Sequence, residues 1–295
     1  MPEGALECIG TGIDILGECP TWHPRQQALY WVDIRAPAIR CLDYRSGAVR
    51  SWDMPELVGS LALTGDGKIL AALRTTIRLF DPATGALSVV ATLPAGKTFR
   101  FNDGKCDRQG RFWVGSMDDV GRGPVGSLYR LDETGCTAML GEVAVPNSLC
   151  WSPDGRAMYF ADGREPIICR FAFDTGRGEL SDRREFARLP PGMGIPDGAT
   201  VDAEGYIWSA QYGGGVVTRY APNGSVDRVV EMPVSQPTSC GFGGPDLDIL
   251  FITSASQRLS PEQREAEPLA GALFAFRPGV KGLADAYVEL PQAKV

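Results

Sequence analysis

Four side chains with oxygen donors occur at corresponding points of a repeated sequence pattern. They are the carboxylates of Glu18 and Asp197 and the carboxamides of Asn102 and Asn147. Oxygen ligands of this kind suit hard divalent cations such as Ca²⁺, Mg²⁺ and Mn²⁺. A bound cation would also offset the cost of burying two carboxylates close to one another. The four residues therefore predict a metal site, provided that the fold brings them together.

The alternative for each position is an ordinary turn, because Asn and Asp before glycine are common turn residues. This applies to Asn102-Asp103-Gly104 and to Asp197-Gly198. The matching positions in the repeat favour a metal site over four unrelated turns. Asp103 is the exception, and we expect its carboxylate to bind neighbouring backbone amides rather than a metal.

The histidine and cysteine content excludes several kinds of site. His23 is the only histidine, which excludes sites with two or three histidine ligands and argues against a Ser-His-Asp triad; we expect it to have a packing or surface role. The eight cysteines are widely spaced without a CxxC pair, so we expect reduced thiols in packing positions. Cys19 adjoins Glu18 and could contact the site, but without a histidine partner we do not expect thiolate catalysis.

A sixfold repeat places the four oxygen donors. Each unit contains two apolar hairpins with turns such as Ser152-Pro153-Asp154-Gly155. Six units of roughly 40–50 residues fit an all-β fold, a six-bladed β-propeller with four antiparallel strands per blade. The first strand of a blade lines the central channel, so the starting residues would converge at one mouth. Equivalent starts, separated by 41, 43, 45, 50 and 41 residues, lie at Glu18, Gly59, Asn102, Asn147, Asp197 and Thr238.

Composition and chain ends agree with this fold. Gly and Pro together make up about a fifth of the 295 residues, above the usual share of about 12%. The capping-box pattern Ser260-Pro261-Glu262-Gln263 predicts one short helix, inserted in the last blade. A strand at about Ala5–Ile13 is expected to pair with the final repeat, because the ring would otherwise keep an open edge. We expect residues 1–295 to form one propeller domain and, since a propeller closes on itself, a monomer.

The aromatic residues and the net charge limit the kinds of partner that the protein can have. Trp113, Trp151 and Trp208 fall in predicted strands, which favours the core over a sugar-stacking groove, whereas Tyr212 is a candidate for the pocket rim. A net charge of −7 argues against nucleic-acid binding. The sequence has no apolar window of membrane-spanning length and no signal-peptide pattern at its start, so we expect a cytoplasmic protein without a membrane partner.

Several short motifs together resemble a known family. They extend over about Glu7 to Phe276, and as a set they resemble the senescence marker protein-30, gluconolactonase and regucalcin-like family of sugar lactonases, above all bacterial aldonolactonases. The motifs are Gly17-Glu18-Cys19-Pro20 with Trp22, Trp31-Val32-Asp33-Ile34, Arg100-Phe101-Asn102-Asp103-Gly104-Lys105, Pro146-Asn147-Ser148-Leu149 with Trp151-Ser152-Pro153-Asp154-Gly155, and Pro196-Asp197-Gly198.

The resemblance implies a role for each matching residue. One catalytic divalent metal would be held by Glu18, Asn147 and Asp197, and its identity among Ca²⁺, Mg²⁺, Mn²⁺, Zn²⁺ and Fe²⁺ stays open. Arg100 and Asn102 match positions that contact the substrate. The acidic substrate contact of the family falls on Asp118 or Asp119, and we place it at Asp119. Cys19 stands where relatives often carry Gly or Ser.

The function expected from this resemblance is metal-dependent hydrolysis of a sugar lactone to the aldonic acid, in carbohydrate catabolism. The metal would stabilise charge on the lactone oxygen, and Asp197 would be the general base. One alternative is a propeller esterase acting on non-sugar esters, although such sites use histidine near the metal. The other is a divalent-metal-binding propeller without catalysis.

Overall fold

Six small antiparallel sheets account for the strands of the molecule. This computed structural model describes residues 2–10, 14–93 and 96–290. Within those ranges each sheet has four strands, and each is one blade of a ring. The six-bladed β-propeller predicted from the repeat is thereby confirmed.

The strands follow the chain blade by blade, except that the first, β1 (Leu6–Cys8), belongs to the last blade. Blade 1 consists of β2 (Gly17–His23), β3 (Ala28–Asp33), β4 (Ala38–Asp43) and β5 (Val49–Asp53). Blade 2 consists of β6 (Val58–Leu63), β7 (Ile69–Leu73), β8 (Thr76–Phe80) and β9 (Leu87–Thr92). Blade 3 consists of β10 (Phe99–Cys106), β11 (Phe112–Asp118), β12 (Gly126–Asp132) and β13 (Gly135–Val143).

The second half of the chain continues in the same order. Blade 4 consists of β14 (Pro146–Trp151), β15 (Ala157–Asp162), β16 (Ile167–Asp174) and β17 (Glu179–Arg188). Blade 5 consists of β18 (Ile195–Val201), β19 (Ile207–Tyr212), β20 (Val216–Tyr220) and β21 (Val226–Glu231). Blade 6 consists of β22 (Pro237–Gly243), β23 (Ile249–Ser254), β24 (Phe274–Phe276) and β1.

The N-terminal segment closes the ring, as predicted. Strand β1 pairs antiparallel with β24, with Leu6 opposite Phe276 and Cys8 opposite Phe274. The strand is shorter than the expected Ala5–Ile13, and residues 11–13 of that segment lie outside the described residues. The pairing gives blade 6 its outer strand, so that the edge of β24 does not remain open.

The hydrophobic core is divided into layers between neighbouring blades. The six core clusters each combine residues of two adjacent blades, such as Tyr30 and Ile39 of blade 1 with Leu61 and Ile69 of blade 2. Inner and middle strands are covered on both faces, and for this reason β2, β6, β14 and β22 are buried along their whole length. The three tryptophans predicted for the core, Trp113, Trp151 and Trp208, are at most 2% exposed.

Two glycines allow the inner strands to approach one another around the channel. A Cβ atom added at Gly59 would lie 2.5 Å from the carbonyl oxygen of Phe101 in the next blade. A Cβ atom at Gly198, directly after Asp197, would overlap the side chain of Ser239. A larger residue at either position would push neighbouring blades apart, because real side chains do not make contacts this short.

One short helix interrupts the all-β fold in the described part of the chain. Helix α1 (Pro261–Ala266) lies between β23 and β24 and has the predicted capping box. Ser260 N donates to Gln263 Oε1 at 2.8 Å, and Gln263 N donates to Ser260 Oγ at 3.2 Å. No helix in the described ranges has the length and apolar character needed to cross a membrane.

Candidate functional site

A β-bulge interrupts the innermost strand of each blade at or beside the start of its repeat. The register breaks between Glu18 and Thr21 in blade 1 and between Asn147 and Cys150 in blade 4, with equivalent breaks in the other four. Cys19 and Ser148, the residues after the candidate ligands of these two blades, have φ angles of +56° and +60°. Because a bulge re-aims the side chains beside it, this irregularity lets the repeat starts face the channel.

Five of the predicted site residues line one cavity at the mouth of the channel, namely Glu18, Arg100, Asn102, Asn147 and Asp197. Each is no more than 8% exposed. The cavity holds about 60 Å³, enough for a cation or a few waters, whereas pockets for small molecules usually measure about 300–1,000 Å³. The five site residues form the floor of this cavity, and a ligand larger than the cavity would extend from them towards the solvent. Around the floor, the cavity is lined by Leu16, Met117, Val145, Ile195, Arg122, Tyr212, Gln257 and Arg258.

A chain of hydrogen bonds orients the two carboxamides. Arg100 Nη1 donates to Asn102 Oδ1 at 2.6 Å, and Asn102 Nδ2 donates to Asn147 Oδ1 at 2.7 Å. Asn102 Nδ2 also donates to the carbonyl oxygen of Pro146 at 2.9 Å. Each amide oxygen accepts one of these bonds and has a second lone pair, which remains available to a cation or a hydroxyl group.

The two floor carboxylates have little compensating charge. Burial, the charge of Asp197 and that of Asp103 raise the pKa of Glu18 well above its ordinary value, with only Arg100 acting in the opposite direction among the nearby charges. Burial and the charge of Asp103 likewise raise the pKa of Asp197. A divalent cation between Glu18 and Asp197 would relieve both effects, and so the donor set fits a hard metal ion.

The donor set is unusual in its residue types. Among the described residues, no group of three or more His, Cys, Asp or Glu side chains is arranged to hold a metal. The candidate ligands are instead two carboxylates and one amide oxygen, from Glu18, Asp197 and Asn147. Oxygen-only sets of this kind suit Ca²⁺, Mg²⁺ and Mn²⁺ better than soft metals.

Asp119 lies beside the floor rather than on it. Arg100 Nε donates to Asp119 Oδ1 at 2.8 Å, and Arg35 donates to both carboxylate oxygens at 2.6 Å. Burial alone would raise the pKa of Asp119, but the two guanidinium groups hold it well below its usual range. Asp118, the other candidate, accepts a turn hydrogen bond from Val120 N at 3.2 Å. Direct substrate contact by Asp119 stays a prediction.

Asp103 and Cys19 have structural contacts. Asp103 Oδ2 accepts a hydrogen bond from Leu149 N at 2.9 Å, in agreement with its expected role towards the backbone. The Cys19 thiol lies 3.5 Å from the carbonyl oxygen of Leu61, and burial raises its pKa to about 12. Cys19 is not among the residues that line the cavity. All eight cysteines are free, six of them buried, as the sequence predicted.

His23 has a packing role at the far end of β2. It is 3% exposed, and its ring lies 5.8 Å from that of Tyr287. Its Nδ1 accepts a hydrogen bond from Gln26 N at 3.3 Å. His23 does not line the candidate cavity, and of the packing or surface role predicted for it the structure shows packing.

A larger surface groove lies between blades 1 and 2, with a volume of about 470 Å³. It is lined by Tyr30, Asp43, Arg50, Asp66 and Lys68 among others. Its charged groups are largely solvated, and Lys68 pairs with Asp66 at 2.8 Å. The groove contains none of the converging, buried polar groups that distinguish the channel mouth, and we therefore place the functional site at the channel.

Four residues around the mouth were not singled out from the sequence. They are Arg35, Arg122, Gln257 and Arg258, whereas the rim position predicted for Tyr212 is confirmed. All four belong to connections between the second and third strands of a blade, at residues 34–37, 119–125 and 255–273. The connections of blades 3 and 6 are the longest of this type. Their length is the one feature of the sequence that could have indicated that they reach the site.

Comparison with known proteins finds relatives that cover nearly the whole chain. The chain is 40% identical over 286 residues to a 6-deoxy-6-sulfogluconolactonase of Pseudomonas putida, covering 95% of this chain and 97% of that protein. It is 36% identical to an L-arabinolactonase of Azospirillum brasilense, covering 97% of this chain and 96% of that protein. A solved structure of a calcium-binding protein, regucalcin, from Agrobacterium tumefaciens superposes with a TM-score of 0.94 at 31% identity and covers 98% of both chains.

A family model matches most of the propeller. The model of the SMP-30/gluconolactonase/LRE-like region covers residues 16–256, from the residue before β2 to the start of the connection that carries Gln257. That range includes the floor residues and five complete blades. The chain therefore belongs to the SMP-30/gluconolactonase/LRE-like family.

Proposed function

We propose that this protein hydrolyses a sugar lactone to the open aldonic acid with the help of one divalent metal ion. The observation that carries the proposal is the cavity floor, where two buried carboxylates and two oriented carboxamides lie beside a buried arginine. Relatives at 40% and 36% identity bear the names of lactonases, and the similar structure from Agrobacterium bears that of a calcium-binding protein. A lactone is a cyclic ester, and its hydrolysis needs an activated water and stabilisation of an oxyanion.

Glu18, Asn147 and Asp197 would hold the metal. When bound, the cation would supply Lewis-acid stabilisation of the negative charge that develops on the lactone oxygen. The hydrogen bond from Asn102 Nδ2 to Asn147 Oδ1 fixes the orientation of the Asn147 amide, whose oxygen keeps a second lone pair for the metal. Replacing a residue that orients a metal ligand in this way typically lowers metal affinity about 10- to 100-fold.

Asp197 is the proposed general base. Its carboxylate lies on the floor, where an Oδ atom can accept the proton of the attacking water while the water approaches the lactone carbon. The Ser148 hydroxyl donates to the Asp197 backbone oxygen at 2.6 Å, which fixes the main chain under this side chain. A fixed base keeps the reacting atoms aligned.

Arg100 and Asn102 are the proposed contacts to the sugar. Nε and Nη1 of Arg100 are used by Asp119, Asn102 and the Phe101 carbonyl, whereas Nη2 donates to no described residue and is free for the substrate. The second lone pair of Asn102 Oδ1 can accept a hydrogen bond from a sugar hydroxyl. Asp119 and Arg35 hold Arg100 in this orientation.

The position of His23 disfavours the esterase alternative. A histidine-assisted ester hydrolase needs that side chain at the metal, and His23 is packed against Tyr287 outside the cavity. A binding propeller without catalysis would not need Arg100 buried beside the ligands with a free donor group. Both alternatives can be distinguished from lactone hydrolysis by experiment.

The test is proton release from a panel of aldono-1,4- and aldono-1,5-lactones, with spontaneous hydrolysis subtracted. The protein is stripped with a chelator and reloaded with Ca²⁺, Mg²⁺, Mn²⁺, Zn²⁺ or Fe²⁺ singly. We expect turnover of at least one sugar lactone that disappears on chelation and returns with one or more of these ions. Metal addition should also raise the melting temperature, because binding to the folded state alone stabilises it.

Other outcomes would overturn the proposal. A rise in melting temperature without lactone turnover would favour the binding propeller. Turnover of aryl esters but of no sugar lactone would favour the esterase. Lactone turnover that survives exhaustive chelation would contradict the metal site while leaving the substrate class in place.

A further inference from the structure

Two guanidinium groups line the mouth of the cavity without acidic partners. Arg122 and Arg258 are both lining residues, and neither forms an ion pair or a side-chain hydrogen bond with any described residue. Arg100, the third arginine on the cavity, is paired with Asp119 at 2.8 Å. The carboxylate of Asp118, close to Arg122 in sequence, accepts from Val120 N instead. The two mouth arginines are therefore cationic groups without a bonded counter-charge, although Asp119, which pairs with Arg35 and Arg100, also acts on Arg122 through its charge.

The backbone holds both arginines in a conformation that non-glycine residues seldom adopt. Their φ angles are +50° at Arg122 and +62° at Arg258. Arg122 N donates to the Asp118 carbonyl oxygen at 3.1 Å in a tight turn. Arg258 lies between Gln257, which lines the cavity, and Leu259, which is buried in the core before the cap of α1. Left-handed residues of this kind concentrate at functional sites, where the surrounding structure imposes them.

The two mouth arginines line the same cavity as the floor carboxylates. Burial raises the pKa of Tyr212, and among the smaller effects the charge of Asp197 raises it while the charges of Arg258 and Arg122 lower it. Tyr212 Oη also accepts from Gln257 Nε2 at 3.4 Å. Tyr212, Asp197 and both arginines line the same cavity, so that a molecule bound at the floor and reaching outward would meet the arginines.

The local charge is opposite to that of the whole chain. The protein has a net charge of −7, yet Arg35, Arg100, Arg122 and Arg258 surround the mouth with Asp119 as their one bonded carboxylate. Glu18 and Asp197 would be balanced by the divalent metal of the proposed function. An excess of positive charge would then face the incoming substrate, which favours an anion.

We propose that Arg122 and Arg258 bind an anionic group at the end of the substrate remote from the lactone carbonyl, so that the preferred substrate is the lactone of a sugar acid carrying a sulfonate, phosphate or second carboxylate. The inference rests on the proposed lactone hydrolysis. The cavity is too small to enclose a sugar ring, so the far end of the ring would lie at its opening, where Arg122 is half-buried and Arg258 exposed. Arginine suits this role because its planar fork donates two parallel hydrogen bonds to an oxyanion.

The first test compares four lactones at low ionic strength: glucono-1,5-lactone, its 6-phosphate, its 6-sulfonate analogue and the lactone of glucaric acid. We expect kcat/KM for at least one anionic lactone to exceed that for the neutral one by about tenfold or more. The comparison among the three identifies which anion fits. The preference should weaken as salt is added, because charges at an open mouth are screened.

The second test uses the variants Arg122→Gln, Arg258→Gln and Arg258→Glu. The ratio of kcat/KM for anionic over neutral lactone should fall about 10- to 100-fold in the glutamine variants and further in the glutamate variant. Arg45→Gln is the matched control, since Arg45 is an exposed arginine in the turn between β4 and β5, outside the cavity lining. Arg122→Lys should restore part of the ratio.

Binding without turnover makes the test independent of catalysis. Calorimetry should show tighter binding of 6-phosphogluconate than of gluconate, and the difference should disappear in the Arg122→Gln variant. An unchanged ratio and equal binding of both compounds would overturn the inference even if neutral lactones are hydrolysed. Absence of any lactone turnover would instead overturn the proposed function, and the binding difference would then still decide whether an anion site exists.

Discussion

The floor and the mouth of the cavity are built from different parts of the blades. The floor residues Glu18, Asn147 and Asp197 lie on inner strands, beside bulges whose register the neighbouring strands fix. Arg122 and Arg258 lie in connections of 7 and 19 residues between second and third strands. Strand positions are shared by every blade, whereas the connections differ in length from blade to blade. The floor is thus suited to a common reaction, and the mouth to a choice among substrates.

This difference makes separate predictions for the two regions. A change on the floor should reduce the hydrolysis of all lactones alike. A change at the mouth should alter the ranking of the lactones. Residues that act by orienting others, such as Asn102 on the floor and Arg35 near the mouth, should have smaller effects than the floor carboxylates.

The largest effect is expected from Asp197→Asn. Loss of the carboxylate removes both the proposed base and a metal ligand, and kcat/KM should fall about 10³-fold or more for every lactone. The metal-dependent rise in melting temperature should disappear as well. In the metal-free protein the variant should be no less stable than the parent, because a neutral amide does not repel Asp103 or Glu18. Near-normal turnover would show that Asp197 has neither role.

A smaller effect is expected from Asn102→Ala. The change removes the link between Arg100 and Asn147, whose hydrogen bonds measure 2.6 and 2.7 Å. We expect kcat/KM to fall about 10- to 100-fold and metal affinity to weaken, since the Asn147 amide loses its orienting partner. Titration of the apo-protein with metal, followed by melting temperature, separates the two effects. Unchanged metal affinity would contradict the orienting role.

The smallest effect is expected from Arg35→Met. Asp119 loses two hydrogen bonds of 2.6 Å but keeps the bond from Arg100, so Arg100 should be held less firmly. We expect KM to rise about three- to tenfold with little change in kcat. The melting temperature should hardly change, because a partly exposed ion pair contributes at most about 1 kcal/mol. Arg45→Met, at an exposed turn, is the control, and equal kinetics in both variants would refute the role of Arg35.

The floor could be predicted from the sequence because it follows the repeat. Intervals of 41 to 50 residues located the inner strands, and the oxygen donors at their starts identified Glu18, Asn102, Asn147 and Asp197. The capping box at Ser260 and the pairing of the N-terminal segment with blade 6 were also predictable, since each depends on a local pattern or on the need to cover a strand edge. The repeat carries this information because strand geometry is nearly the same in every blade.

The mouth could not be predicted in the same way. The path of a connection depends on its own turns and on distant contacts, such as the insertion of Leu259 into the core between blades 5 and 6. The ion pair of Arg35 with Asp119 joins residues 84 positions apart. Neither the left-handed backbone of Arg122 nor that of Arg258 has a sequence signal, because both positions carry a residue that rarely adopts it.

The pairing of β1 with β24 joins two strands that are synthesised far apart in time. Leu6 leaves the ribosome before its partner Phe276, which follows 270 residues later. At about 5–20 residues per second, the outer strand of blade 6 waits roughly ten seconds to a minute for its neighbour. During that time blades 1 to 5 can form in order from consecutive strands, while β1 has no partner and its edges stay exposed. Pairing of β1 with β24 must therefore wait until β24 has been synthesised, and until then β1 can pair with strands of other chains.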